Sequence, residues 1–401
     1  MLLVLISGFS LSQAFRTVPA IMSAPLQQAF ALTPQQLGLF AAAFHFSFGA
    51  LQLFMGIGLD LYGSRRTVLA VFPLTIAGAL VIATGRSFGS LVLGQVLTGI
   101  GCAPAFLACT VFISRRFPAG QYASINGAAL GIGSIGLLMT GTPLAWVIET
   151  WGWRVGFVAL AACAALAWLA ILLLVREDAP EHAGERPGLG ATLRGYGELM
   201  RLPQTAGILA LSLCTYASFI SLRGLWLGPL LIDRYGFSLV QTGNVVLAFS
   251  VLGMFGPPLF GRLDPGDARR RRWILHFTLA CALLFVLMAP PLGATAEIAL
   301  SLAIALVSGY MVMQYADVRA AYPARLTGRA MAVFTMAMFL GVALAQWLTG
   351  VAASAAVALH LDVYATVLGA IAVLLLLGAA AYRWLPQPPH ARAAERSQSS
   401  P

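Results

Sequence analysis

Charge is what this sequence has least of. Asp, Glu, Lys and Arg together make up 9% of the 401 residues, against roughly 25% in an ordinary soluble domain. So few charges cannot solvate a water-exposed surface, which excludes a soluble globular fold. Lysine is missing altogether, so all 24 basic residues are arginine. The five cysteines (Cys102, Cys109, Cys163, Cys214, Cys281) lie inside apolar stretches without close pairing. That excludes a disulfide framework and a cysteine metal site. A Gly-rich phosphate loop with its Lys, a nucleophile elbow and a metal-ligand cluster are also missing. No catalytic residue, metal ligand or cofactor is therefore assigned, and an enzyme is not expected.

Apolar residues are what the sequence has most of, at 59%. They fall in runs near Leu2–Ala24, Leu37–Leu59, Val68–Thr84, Leu91–Ile113, Ile125–Ile148 and Val155–Val175. Six more follow at Thr205–Ile232, Val240–Phe260, Ile274–Pro290, Ile298–Val318, Met331–Ala352 and Val363–Trp384. Each is near the ~20 residues that carry a helix across a bilayer. The lengths predict an all-α membrane protein of twelve transmembrane helices, with lipid as its solvent. The first run has no basic region before it and no clear cleavage site after it, so it reads as a retained span and not a signal peptide. The expected division is a six-helix bundle over 1–175, a polar central loop over 176–203, a second bundle over 204–385 and a disordered tail over 386–401.

The formal charge of +10 would suggest nucleic acid in a soluble chain, but here the arginines sit in alternate loops. One set holds Arg65/Arg66, Arg115/Arg116, the central loop, Arg262 with Arg269–Arg272, and Arg325/Arg329; the opposite set holds only Arg86, Arg154 and Arg234. The positive-inside rule places the first set, both termini and the central loop in the cytoplasm. No nucleic-acid partner is expected.

The two halves repeat. Gly56, Asp60, Gly63, Arg65 and Arg66 stand between the second and third runs, and Asp264, Asp267, Arg269 and Arg270 stand 204 residues later, between the eighth and ninth. Phe117–Pro118–Ala119 returns as Tyr322–Pro323–Ala324. Matching loops in matching order indicate two pseudo-symmetric six-helix bundles.

With these residues the chain resembles the major facilitator superfamily, whose loop after the second helix reads Gly-x-x-x-Asp-Arg-x-Gly-Arg-Arg. Gly56, Asp60, Gly63, Arg65 and Arg66 fit that pattern, while Leu61 and Ser64 depart from it. The resemblance covers nearly the whole chain. It implies a secondary transporter working by alternating access in a bacterial inner membrane, with these residues and their counterparts Asp264 and Arg269 as a gate. It implies a monomer and a proton or counter-anion as the coupling ion.

Two arginines interrupt apolar runs: Arg16 in the first and Arg223 in the seventh. An intramembrane charge is costly unless paired or hydrated, and no helix-core carboxylate offers itself as a partner. Two guanidinium forks suit a carboxylate or phosphate, as in the organophosphate:phosphate antiporters and organic-anion porters that the pair resembles. His45, Gln52, Asn126, Trp226, Asn244, Tyr310, Gln314 and Gln346 are the other polar residues expected to line a substrate site. Each is also placed to make an ordinary interhelical hydrogen bond. The reading is a transporter of a small organic anion. Proton-coupled drug efflux and a transporter-like receptor are the alternatives; the fifth run lacks the Gly-Pro-x-x-Gly-Gly pattern of many drug exporters.

Overall fold

The computed structural model describes residues 1–176 and 196–386, apart from the side chains of Asp60, Ala119, Gly120, Tyr122, Ala123, Ser124, Ala324 and Arg325. The expected central loop and tail thus lie largely outside the described residues. Among these there is no strand, and helices follow one another through short turns. Ten helices are long and apolar enough to cross a membrane, or twelve when two bent pairs each count as one span.

We number the spans in chain order. α1 is the bent pair Leu2–Thr17 and Pro19–Phe30, and α2 the bent pair Pro34–Ala50 and Gln52–Leu59. α3 covers Ser64–Thr84, α4 Phe88–Arg116, α5 Ile125–Trp151 and α6 Trp153–Leu174. α7 covers Pro203–Tyr235, α8 Leu239–Arg262, α9 Asp267–Met288, α10 Ala294–Ala321, α11 Leu326–Ala358 and α12 Val363–Trp384. The twelve expected runs each fall within or closely overlap one of these spans.

The local chemistry explains where the spans bend. α1 turns by 47° at Pro19, whose nitrogen cannot donate to the preceding turn. The amide of Ile21 then bonds the Val18 carbonyl instead of the Thr17 carbonyl four residues back. α5 breaks before Pro143, and there the amide of Gly141 bonds the Leu138 carbonyl instead of that of Leu137. α7 carries a π-turn over Leu222–Trp226. An extra residue in a helical turn shifts the following side chains and is common at functional sites.

Glycines decide how closely the two halves approach. A Cβ on Gly38 of α2 would lie 2.5 Å from the Gln346 carbonyl oxygen and 2.9 Å from Gly350 of α11. On Gly243 of α8 it would lie 2.8 Å from the Ala145 Cβ and 3.0 Å from Thr142, both on α5. Only hydrogen fits at such crossings. Further along the same four helices, toward the arginine-rich loops, Gly56, Gly131, Gly261 and Gly328 have nothing within 4 Å of an added Cβ. Among the described residues, the halves therefore close on each other at the arginine-poor end, while these four positions toward the arginine-rich end are open.

Hydrogen bonds follow the same gradient. Among the described residues they join the halves through Arg16–Tyr216 and Arg223 at mid-depth, through Thr142–Asn244, and through Gln35–Ser354 and Glu149–Val240 at the arginine-poor end.

The loop after α2 turns at Gly63 (φ +84°), and its repeat after α8 turns at Gly266 (φ +78°), a backbone conformation that favours glycine. The matching glycine is Gly266, one residue earlier than the 204-residue offset puts it. Asp264 is engaged as the family loop implies, but by Arg270, whose Nε lies 2.9 Å from its carboxylate; Arg269 is exposed. Arg65 donates to the Leu172 carbonyl at the end of α6 (2.9 Å), and Arg271 similarly approaches the Tyr382 carbonyl of α12 (3.4 Å). Each caps the final turn of its half, where unsatisfied carbonyls attract cations. Arg66 is exposed. The gating role expected of Asp60 falls on a side chain outside those described.

Candidate functional site

Arg16 and Arg223 are both buried, 4% and 0% exposed, where α1 and α7 cross. At this crossing a Cβ on residue 224 would lie in ordinary contact, 3.7 Å, with the Arg16 carbonyl oxygen. The two guanidinium groups nonetheless have different surroundings. Neither takes part in an ion pair among the described residues.

Arg223 is occupied. Its Nε donates to Ser250 Oγ of α8 (3.0 Å), and its Nη1 to the Thr17 carbonyl of α1 (3.4 Å). Its Nη2 donates to the Leu137 carbonyl (2.6 Å) and to Thr140 Oγ1 (3.1 Å), both on α5. Thr17 and Leu137 are among the residues whose carbonyls lost their helical partners at the Pro19 and Pro143 breaks. In the sequence neither arginine has a charged partner; in the structure neutral oxygens meet Arg223 on every side. Helix-break carbonyls are good acceptors and bear no charge that a sequence pattern reveals.

Arg16 is held differently. Its Nη1 donates to Tyr216 Oη of α7 (3.1 Å), while its Nε is buried without a partner. The guanidinium carbon lies 4.9 Å from the ring centre of Phe48 (α2) and 4.6 Å from that of Phe339 (α11). Aromatic faces stabilise a cation by ~0.5–2 kcal/mol without using its donors. Phe48 and Phe339 also pack edge-on at 4.5 Å, so one aromatic pair spans the halves and fixes the arginine between them.

Unsatisfied polar atoms collect in this neighbourhood. His45 and Gln346 are both 0% exposed. His45 Nδ1 lies 3.3 Å from the Ala41 carbonyl, while its Nε2 and both amide atoms of Gln346 have no partner. His45 lies beside Gln346 and within electrostatic reach of Arg16. The Gln346 amide nitrogen is 3.9 Å from the same Gly224 Cβ position that approaches Arg16. Gln314 on α10 accepts from Thr215 of α7 and leaves its own Nε2 unpaired. Buried polar atoms rarely go without partners unless a water or ligand supplies them.

The other expected residues are spread more widely. Trp226 donates to Thr349 Oγ1 of α11 (2.9 Å), and Tyr310 shares a hydrogen bond with Thr278 of α9 inside the second half (2.8 Å). Gln52 reaches the carbonyl of Ala103, which lies between the helical segments Phe88–Cys102 and Ala105–Arg116 of α4 (3.4 Å). Asn244 is exposed and accepts from Thr142 near the arginine-poor end. Asn126 lies near the opposite end of α5 with its Oδ1 unpaired. The structure therefore groups Arg16, His45 and Gln346, with Gln314 facing α7. It adds Tyr216, Phe48 and Phe339, which the sequence reading passed over because aromatic residues in an apolar run look like ordinary core.

One further charge was passed over. Glu297, in the first turn of α10, is fully buried and pairs with Arg234 of α7 (2.6 Å). Arg234 also pairs with Asp362 before α12 (2.8 Å), and Tyr364 donates to Asp233 beside it. This network ties three spans of the second half at the arginine-poor end, away from Arg16.

Comparison with known proteins agrees with the fold. The chain is 24% identical over 249 residues to a hexuronate transporter of Bacillus subtilis, covering 60% of this chain and 58% of that one. It is 26% identical over 287 residues to a probable sulfoacetate transporter of Cupriavidus necator, covering 66% of each. The matched regions thus span 58% and 66% of these relatives' lengths, less than two thirds in each case. Among solved structures, a bacterial homologue of the human lysosomal transporter Spinster superposes with a TM-score of 0.74 at 18% identity, over 98% of this chain and 96% of that one. The family model described as Major Facilitator Superfamily matches residues 4–346. With two bundles of bent spans, the repeated Asp–Gly–Arg loop and this match over most of its length, the chain belongs to the Major Facilitator Superfamily.

Proposed function

We propose that this chain is a secondary transporter that carries a small organic anion by alternating access, with Arg16 as the principal anion ligand. The observation that carries the reading is the state of Arg16: a buried guanidinium between the halves, without a carboxylate partner and with its Nε unpaired. Beside it stand the unsatisfied atoms of His45 and Gln346. A carboxylate, sulfonate or phosphate would supply acceptors to the first, and uncharged parts of the same molecule would bond the others. The named substrates of the two relatives, hexuronate and sulfoacetate, are anions, which supports the same class. On this reading, residues 1–175 and 204–385 are the moving bundles of a monomer. The arginine-rich end faces the cytoplasm of a bacterial inner membrane, and a proton or an exchanged anion drives the cycle.

The test is thermal stabilisation of the purified protein, followed by counterflow in proteoliposomes. The probes are D-galacturonate, sulfoacetate, glycerol 3-phosphate, neutral D-xylose and the cation ethidium. At least one anion should stabilise the protein and exchange across the membrane, and Arg16→Gln should weaken both effects. Stabilisation by ethidium alone would replace the anion reading with cationic drug efflux.

A further inference from the structure

Arg223 presents a physical contrast that the anion site leaves unexplained. It is one of the largest fully buried side chains in the protein. A guanidinium in such a setting has to keep its donors engaged. Three of its four acceptors belong to the other half of the molecule: the Thr17 carbonyl, the Leu137 carbonyl and Thr140 Oγ1. Only Ser250 Oγ comes from its own half. Both carbonyls are available because a helix breaks there, at Pro19 and before Pro143. Thr140 Oγ1 is held in place by a hydrogen bond with Thr17 Oγ1 (2.8 Å), so the acceptors form one cluster on the first half.

We propose that Arg223 is a switch between two sets of acceptors. In the conformation described here, the first half's own oxygens fill the fork and latch the arginine-poor end shut; when that end opens, they withdraw and an incoming anion takes their place. The second step rests on the reading of the protein as an anion carrier, while the latch itself does not. Parting the halves leaves Arg223 with Ser250 alone and with donors turned to the new opening. A carboxylate or sulfonate suits that fork better than neutral carbonyls do. Reclosure then requires the anion to leave Arg223, and Arg16 stands on the facing helix at the same α1–α7 crossing. The π-turn at Leu222–Trp226 belongs to this device, since it sets the register that aims Arg223 at α1 and α5.

The latch is tested with Ala145→Cys, in a background where the five native cysteines are serine. Ala145 is 0% exposed and faces Gly243 across the closed α5–α8 contact. A membrane-impermeant maleimide is added on the arginine-poor side of oriented proteoliposomes. Arg223→Gln should raise labelling by about tenfold or more, the ratio one charge-assisted hydrogen bond supports. Thr140→Val should raise it in the same direction, whereas Ser250→Ala, which removes the bond inside one half, should leave it unchanged. Equal labelling in Arg223→Gln and its parent, or a Ser250→Ala effect as large as that of Thr140→Val, would overturn the latch.

The anion step is tested in a Gly228→Leu protein, whose arginine-poor end is wedged apart, with sulfoacetate and D-galacturonate as probes. Adding Arg223→Gln to the wedged protein should weaken binding from that side by about tenfold or more. Without the wedge, Arg223→Gln should weaken binding from the arginine-rich side less than Arg16→Gln does. Unchanged binding in the wedged double variant would overturn the anion step and leave the Arg16 reading standing. Loss of binding in the unwedged Arg223→Gln protein would make the residue a permanent ligand and overturn the switch. Failure of every anion to bind even the parent would remove the carrier reading and the anion step together, with the labelling result still deciding the latch.

Discussion

Gly228 of α7 and Ala20 of α1 meet backbone to backbone: a Cβ on Gly228 would overlap the Ala20 carbonyl oxygen. The contact lies one turn beyond Arg223 and Thr17, on the side where the halves are closed. As at Gly38 and Gly243, closure here depends on the absence of a side chain.

Gly228→Leu should therefore hold the arginine-poor end open. A cysteine at Ala145, buried in the parent, should become accessible to impermeant maleimide from that side, and transport should stop because closure is blocked. The protein should remain folded in detergent, since the added bulk falls between the halves. Parent-like labelling at position 145 would show that α1 and α7 can repack around the side chain.

Arg16→Gln should weaken binding of whichever anion stabilises the parent by about 1.5–3 kcal/mol, the range for a hydrogen bond to a charged group. Arg16→Lys should fall between the two, keeping the charge and losing the fork. Isothermal titration on detergent-purified protein gives both values. Equal affinity in all three proteins would place the anion elsewhere.

Glu297→Gln should lower the thermal midpoint without changing anion affinity. Breaking a buried ion pair typically costs ~3–5 kcal/mol, and the lower end applies because Arg234 keeps Asp362. A midpoint that does not move would show that the remaining contacts of Arg234, to Asp362 and the Ala289 carbonyl, suffice on their own.

Asp362 gives this network a pH dependence. Burial pushes its carboxyl pKa up, but the Ala365 amide and Arg234 outweigh that and hold it below the usual carboxylate range. A depressed folded-state pKa stabilises the ionised form. That stability is fully present above the ordinary carboxylate range and is lost as pH falls through the folded value. The thermal midpoint should thus drop more steeply on acidification in the parent than in Asp362→Asn. Parallel curves would remove Asp362 as the source.

Asp60→Asn should slow transport while leaving anion binding largely intact. The expectation comes from the loop Gly56–Asp60–Gly63–Arg65–Arg66, and from its repeat, where Asp264 holds Arg270. A residue that biases two conformations changes their populations more than it changes the site. Stopped-flow counterflow set beside titration separates the two effects, and an unchanged rate would reduce Asp60 to a surface residue.

By itself the sequence determined the solvent, the number of spans and the duplicated plan. Apolar runs of bilayer length cannot be buried any other way, and loop arginines repeat with the helices they flank. It also marked Arg16 and Arg223, because a charge within an apolar run stands out in one dimension. The tertiary structure decided what each arginine does. Thr17, Leu137, Thr140 and Ser250 are neutral, scattered over three spans and unremarkable in sequence, and only helix breaks and crossing geometry bring their oxygens to Arg223. Phe48, Phe339 and Tyr216 are likewise indistinguishable from core until three helices place them around Arg16. A charge is visible in the chain because its cost is local, whereas the neutral oxygens that offset that cost are assembled by packing between distant segments.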